Sequence, residues 1–345
     1  MKAVFVEDAE QVEVRDIDTP EIKADEVLIK VAVAGICGSD IHTYKGLHPF
    51  RKPPVVIGHE VAGEVVSIGS DVTHVKVGDR VTVEPQLGTG ESEGEMTGHI
   101  NYSDERLAPG MDTWLGTMAD YFVSPESLII PLPDSVSYDR GVLTEPLAVG
   151  VHAAQKAGIH PDDRVAVIGA GPIGLLTLAA VRAKGAENTI VTDVLDYSLE
   201  KAADLGAKET YNIKDDQYWI SHVKETMGGS FDKVLITAGV PGIINDSLKL
   251  LKKGGRAVTV AMFHGQQQLD VEQLQQQEKE LVGCMTYNRP DTEEALHIIE
   301  AQTIPVENVI SHRLEVQEAA LGFRMVDKKE DESVKVLVTF NEEEE

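Results

Sequence analysis

Hydrophobic and polar positions alternate along the first quarter of the chain, and the alternation predicts short strands over 2–7, 11–15, 26–36, 60–68 and 80–83. Turn signals such as Gly69-Ser70-Asp71 and Gly78-Asp79 separate them, so the region reads as antiparallel β structure. Residues 86–112 break the pattern: they are polar, glycine-rich and poor in apolar side chains, and read as a long excursion or lobe. From about Pro161 the period changes. Arg164-Val165-Ala166-Val167-Ile168 is a continuous apolar run, and 175–184 has helical periodicity. Further strands are predicted over 189–194, 233–238, 256–261 and 279–285, with helices over 197–205 and 243–251. Strands alternating with helices mean a parallel sheet with right-handed crossovers. A helix over 291–301 and a strand over 334–340 follow, and the last strand is expected to rejoin the first domain.

Length and composition agree with this pattern: 345 residues with 42% hydrophobic content supply one large or two medium cores, and two domains are expected. No apolar run reaches the roughly 18 residues that span a bilayer. The first 20 residues contain Glu7, Asp8, Glu10 and Asp16 and no apolar signal core. The chain is therefore expected to be cytoplasmic, with no membrane partner. Two cysteines, Cys37 and Cys284, exclude a disulfide framework. Cys284 falls in a predicted buried strand and reads as inert core. The net charge of −27 excludes nucleic acid and anionic membrane as partners. The acidic excess reads either as a solubilising surface or as adaptation to high salt, and Glu342 to Glu345 as a solvated end.

Gly169-Ala170-Gly171-Pro172-Ile173-Gly174 follows a predicted strand and opens a predicted helix, the context that gives G-x-G-x-x-G its meaning. Glycines there permit a tight turn and close backbone approach, so a pyrophosphate can rest on the helix N-terminus. The next strand ends in Asp193, 24 positions after Gly169. A carboxylate at that point accepts bonds from ribose hydroxyls and repels a 2′-phosphate, and Ser198 adds no positive charge. The cofactor expected is NAD rather than NADP.

Cys37, in Gly35-Ile36-Cys37-Gly38-Ser39-Asp40-Ile41-His42, and His59, in Gly58-His59-Glu60, offer a thiolate, an imidazole and a carboxylate, a plausible zinc set. The 22-residue gap is too long for one local knuckle, so the ligands are expected from separate loops, as in catalytic rather than structural sites. The remaining histidines, His48, His152 and His264 among them, show no ligand spacing. Tyr44 reads equally as a pocket residue or a packed aromatic.

On these residues the chain resembles the zinc-dependent medium-chain alcohol dehydrogenase family. Gly58-His59-Glu60-Val61-Ala62-Gly63, then Gly69 and Val72, fit its zinc signature; Asp79-Arg80-Val81 follows, and the resemblance runs over essentially the whole chain. It implies an α/β fold: a GroES-like β catalytic domain over 1–148, a Rossmann doubly wound parallel-sheet NAD domain over 149–287, and a return segment over 288–345. It also implies that Cys37 and His59 bind the catalytic zinc. Thr144-Glu145-Pro146-Leu147 resembles the polyol, butanediol and threonine dehydrogenase branch, in which Glu60, Glu145 and water share the remaining positions. Ser39 would take the alcohol proton, His42 would pass it to solvent, and Asp40 would orient His59. Zinc would lower the alcohol's pKa and the hydride would go to the nicotinamide. A homodimer or homotetramer is implied as well.

A second, structural zinc is common in the family, on four cysteines. Aligned to that pattern, Thr89–Ser103 keeps Gly90, Gly98 and Asn101 but carries Thr89, Ser92, Glu95 and Ser103 at the cysteine positions, so no structural zinc is expected. Glu91, Glu93, Glu95 and Asp104 offer at most a weak hard-cation site, and a solvated acidic loop is the better reading. The function expected is oxidation of a secondary alcohol, a polyol or vicinal diol, with one zinc and NAD. An L-threonine 3-dehydrogenase is the rival on the same fold. A zinc-free reductase or a non-catalytic binding protein is the rival of another class, and both would predict loss of the Cys37–His59–Glu60 set.

Overall fold

The alternating N-terminal pattern forms β1 (Lys2–Asp8), β2 (Gln11–Asp16) and β3 (Glu26–Gly35), then β4 (Val55–Val56), β5 (Glu60–Ile68) and β6 (Arg80–Val83), then β7 (Tyr121–Pro125) and β8 (Ile129–Pro131). Along β3 every second residue is buried, with Val27, Ile29, Val31 and Val33 facing the core, the signature of a sheet covered on one side. The second pattern forms a βα series with strands β9 (Arg164–Ile168), β10 (Asn188–Asp193), β11 (Glu209–Asn212), β12 (Phe231–Ile236), β13 (Leu251–Thr259) and β14 (Glu280–Gly283). Two further strands close the chain, β15 (Ile310–Glu315) and β16 (Lys335–Thr339). This computed structural model describes residues 1–340 except Thr89, Glu91, Asp104, Asp112 and His264. Those lobe positions, His264 and the 342–345 tail therefore lie outside the described residues.

The chain divides into two units, Met1–Glu145 with Ile310–Glu345, and Pro146–Val309. In the first, β15-β16-β3-β5-β6-β8 form one sheet with β7 also paired to β3, and β2-β1-β4 form a small second sheet. The terminal strand β16 pairs antiparallel with β3, Val338 opposite Ala34. In the second unit all strand pairs are parallel, in the order β11-β10-β9-β12-β13-β14. Central β9 is buried on both faces, which explains its unbroken apolar run.

Several expectations shift. Residues 288–309, assigned above to the return segment, belong with the second unit. Helix Arg289–Ala301 is held there by Asp291, whose carboxylate meets His152 Nδ1 at 2.9 Å, and by Glu294, which accepts from Lys184 at 2.7 Å. Strand β14 is shorter than expected, so half-buried Cys284 follows it by one position. Burial still pushes the Cys284 thiol up to about 12, which keeps it inert. Tyr44 is packed rather than open: it is buried, with its ring 5.7 Å from Phe323. Helices Thr144–Ala157 and Ala319–Lys328 and strand β15 carry no signal in the sequence reading above. Among the described residues no helix is long and apolar enough to cross a membrane.

Candidate active site

Helix Gly38–Tyr44 brings four of the expected residues onto two turns. Cys37 is its N-cap, and Asp40, three residues on, accepts from the Cys37 amide through Oδ2 at 3.0 Å. Ser39 lies in the first turn and half-buried His42 three residues later, so both project from one side of the helix. Gly58, at φ +102, turns the chain into β5 where a Cβ would meet Thr117 Oγ1 at 2.7 Å, so only glycine delivers His59 and Glu60 here.

The ligand atoms of Cys37, His59 and Glu60 all lie within 4.8 Å of one another. His59 Nδ1 is 3.2 Å from Asp40 Oδ1, which leaves Nε2 to face a metal. Burial pushes the His59 pKa down, yet the Asp40 and Cys37 charges outweigh it and hold the value well above the ordinary one. For Asp40, burial pushes the pKa up, but His59 and Arg51 leave it below the usual carboxylate range. Glu60 is fully buried, and its Oε1 has no hydrogen-bond partner among the described residues. A thiolate, an imidazole and an unsatisfied carboxylate oxygen converging in a buried place fit a divalent cation of zinc's character. Glu145 is buried but outside that trio; it belongs to the same neighbourhood through its charge on Lys335.

Two cations here were not singled out from the sequence. Lys335, on β16, is fully buried: its Nζ abuts Glu60 Oε2 and donates to Ile36 O at 3.2 Å. Burial alone would lower its pKa, but Glu60, Cys37 and Glu145 raise it. Gly35 makes room for the pair, since a Cβ there would fall 1.9 Å from Glu60 Oε2. Arg51 is the second. Its Nη1 lies 3.4 Å from Ser39 Oγ, 3.5 Å from His59 Nδ1 and 3.7 Å from Asp40 Oδ1. His48 anchors its loop, accepting from the Arg51 amide at 2.9 Å, and burial lowers its own pKa to about 4.

In the second unit, Gly169 follows β9 at φ +106 and Gly171 caps helix Pro172–Ala183, with Pro172 at its start and Ile173 half-buried behind it. A Cβ on Gly174 would lie 1.9 Å from Gly169 O, so that glycine is needed for close helix–strand packing. A Cβ on Gly171 would meet nothing within 4 Å; it would project into open space at the helix N-terminus, the space a pyrophosphate needs. Asp193 Oδ2 accepts from the Ala170 amide at 2.6 Å and Oδ1 from Val194 at 2.7 Å, which fixes the carboxylate beside the turn. The two glycines are therefore expected to separate by assay. Gly171→Val abolishes NAD binding in calorimetry with the melting profile kept. Gly174→Ala costs about 1–3 kcal/mol of stability through overpacking.

The polar lobe has a carboxylate at its centre. Glu95 Oε2 accepts from the Ser92 amide at 3.0 Å and the Ser92 hydroxyl at 2.9 Å. With the Gly90 amide adding to them, these donors hold its pKa down to about 2. Two of the four positions aligned to cysteines, Ser92 and Glu95, thus still meet. Because the folded pKa lies below the unfolded value of about 4.5, the stabilisation is complete above that pH and lost as pH falls towards about 2. The Ser92 amide is expected to be protected from hydrogen exchange at pH 6 and progressively less between pH 4.5 and 2. Equal protection in Glu95→Gln at pH 6 would contradict this.

Residues 23–134 match the alcohol dehydrogenase GroES-like domain and residues 172–301 the zinc-binding dehydrogenase domain. This chain belongs to the zinc-binding alcohol dehydrogenase family. It is 35% identical to sorbitol dehydrogenase 1 of Saccharomyces cerevisiae over 97% of both chains, and 35% identical to D-xylulose reductase of Scheffersomyces stipitis over 90% of both. Its structure resembles that of 2R,3R-butanediol dehydrogenase from Bacillus subtilis, with a TM-score of 0.91, 28% identity and 99% of both chains covered. The fold is accordingly a GroES-like domain joined to a Rossmann-type parallel sheet.

Proposed function

We propose that the protein oxidises a secondary alcohol, a polyol or vicinal diol, with NAD as acceptor and one zinc ion per chain. The convergence of Cys37, His59 and Glu60 around an unsatisfied buried oxygen carries this reading. Relatives named for sorbitol, xylulose and butanediol support the substrate class. Zinc held there would act as a Lewis acid and bring the alcohol's pKa towards neutrality. Ser39 accepts the alcohol proton and His42, one turn on, passes it to solvent, while Asp40 keeps the His59 imidazole in the tautomer that binds metal. Glu145 is the candidate to complete the ligand set with Glu60. NAD would take the hydride, and the fixed Asp193 carboxylate supports it over NADP by repelling a 2′-phosphate.

The lobe supports a count of one zinc, because Ser92, Glu95 and Ser103 offer no thiolate. Two unpaired cysteines support a cytoplasmic setting, and the β14 edge suits a homodimer or homotetramer joined sheet to sheet. The test is NAD reduction across sorbitol, xylitol, galactitol, 2,3-butanediol, L-threonine and simple secondary alcohols. Highest kcat/KM on a polyol or diol is expected. A preference for threonine would move the assignment to L-threonine 3-dehydrogenase, and no NAD reduction with any alcohol would overturn the reading.

A further inference from the structure

The parallel sheet of the second unit has two ends. The Gly169–Gly174 turn follows the finish of β9, whereas Ser230, Leu251 and Lys279 mark the starts of β12, β13 and β14. These starts border a cleft of about 570 Å³ at the end opposite the cofactor turn. Fewer than one residue in ten of the chain is basic, 31 of 345, yet five of the twelve residues lining the cleft are lysines: Lys224, Lys249, Lys252, Lys253 and Lys279.

Three of the five lysines are in no ion pair among the described residues. Lys249 pairs with Asp246 at 2.8 Å and Lys252 with Asp232. The two acidic lining residues keep their charge but form no ion pair with these lysines among the described residues. Asp270 accepts from the Gln273 amide at 3.1 Å as a helix cap, and Glu272 accepts from Gln276 Nε2 at 2.7 Å. The Lys224 and Lys253 side chains make no hydrogen bond or ion pair among the described residues. Lys279 is buried and donates only to neutral acceptors, Leu248 O at 2.6 Å and Gln273 Oε1 at 3.3 Å. Burial lowers the Lys279 pKa and the neighbouring Lys224 charge lowers it further, so two like charges lie near each other and neither is held in an ion pair among the described residues. Ammonium groups brought together on one cleft wall repel one another, and a bound polyanion relieves that repulsion.

We propose that this cleft binds a small phosphate-bearing polyanion, at a site separate from the cofactor turn. Lysine ammonium groups bind phosphate as point charges. Three of them match the charge of a diphosphate, and Ser230, Gln276 and Gln277 add neutral donors. A free diphosphate and a nucleoside diphosphate share this chemistry, and separate titrations tell them apart.

The experiment is calorimetry on the zinc-loaded protein saturated with NADH, so that the cofactor turn is filled. Pyrophosphate and ADP are titrated separately into the native chain and into Lys224→Gln and Lys253→Gln. Neither lysine has a partner to lose, so both variants keep the fold and the rate of NAD reduction. One saturable site per chain is expected for at least one titrant, weakened about 10-fold by either substitution, the effect of one charge-assisted contact. No saturable binding of either titrant, or binding indifferent to both substitutions, overturns the proposal.

Discussion

A Cys37→Ser chain is expected to lose its zinc and its turnover while still binding NAD. The thiolate is the strongest donor among the three ligand atoms gathered within 4.8 Å, and serine's hydroxyl stays protonated at neutral pH. Loss of Lewis-acid activation worth about 4 kcal/mol corresponds to a fall of about 10³-fold or more in kcat. The cofactor turn is built from residues 169–174 and Asp193 of the other unit, so calorimetric NAD affinity is expected to stay within about twofold. Metal analysis and steady-state rates on the same sample check both halves, and turnover within tenfold of the native chain would refute the ligand role.

A Lys335→Met chain is expected to be less stable by about 3–5 kcal/mol, the usual consequence of removing one partner of a buried ion pair. The Glu60 carboxylate would be left fully buried, with neither oxygen paired to a side-chain cation. Urea unfolding of the metal-free protein reads this most cleanly, because zinc would shelter the same carboxylate. Lys335→Arg keeps the charge and is expected to recover part of the loss. Adding Glu60→Gln to Lys335→Met is expected to restore most of it, since the uncompensated charge goes with it. A loss under about 1 kcal/mol for Lys335→Met would mean that the pair does not hold this site.

The contrast between these residues shows what a sequence displays and what it hides. Strand β9 and the turn after it are legible because their signals are local: a doubly buried strand is an apolar run, and a tight turn against a helix needs glycine at set spacings. Cys37 and His59 stand out because each sits in a short glycine-bounded motif, although their meeting depends on β3 and β5 pairing over eight residue partners. Lys335 has no such signal beyond being a lysine in an otherwise apolar strand. Its partner lies in another strand 275 positions away, and only the sheet order β16-β3-β5 brings them together. That lone charge among Val334, Val336 and Leu337 was the available hint, because lysine is almost never fully buried without a partner. Arg51 was hidden for a different reason: its loop has no period, so nothing local shows that its guanidinium reaches Ser39 and Asp40. The lobe was read as a solvated acidic loop because missing cysteines imply missing glue. Glu95 shows that hydrogen bonds to one carboxylate can hold positions that thiolates would otherwise occupy.

The metal count of freshly purified native protein tests the central claim most directly. Plasma emission spectrometry on a sample freed of loosely bound ions is expected to give one zinc per chain, lost in Cys37→Ser and kept in Glu95→Gln. Less than half a zinc per chain in the native protein, or an undiminished content in Cys37→Ser, would contradict the account.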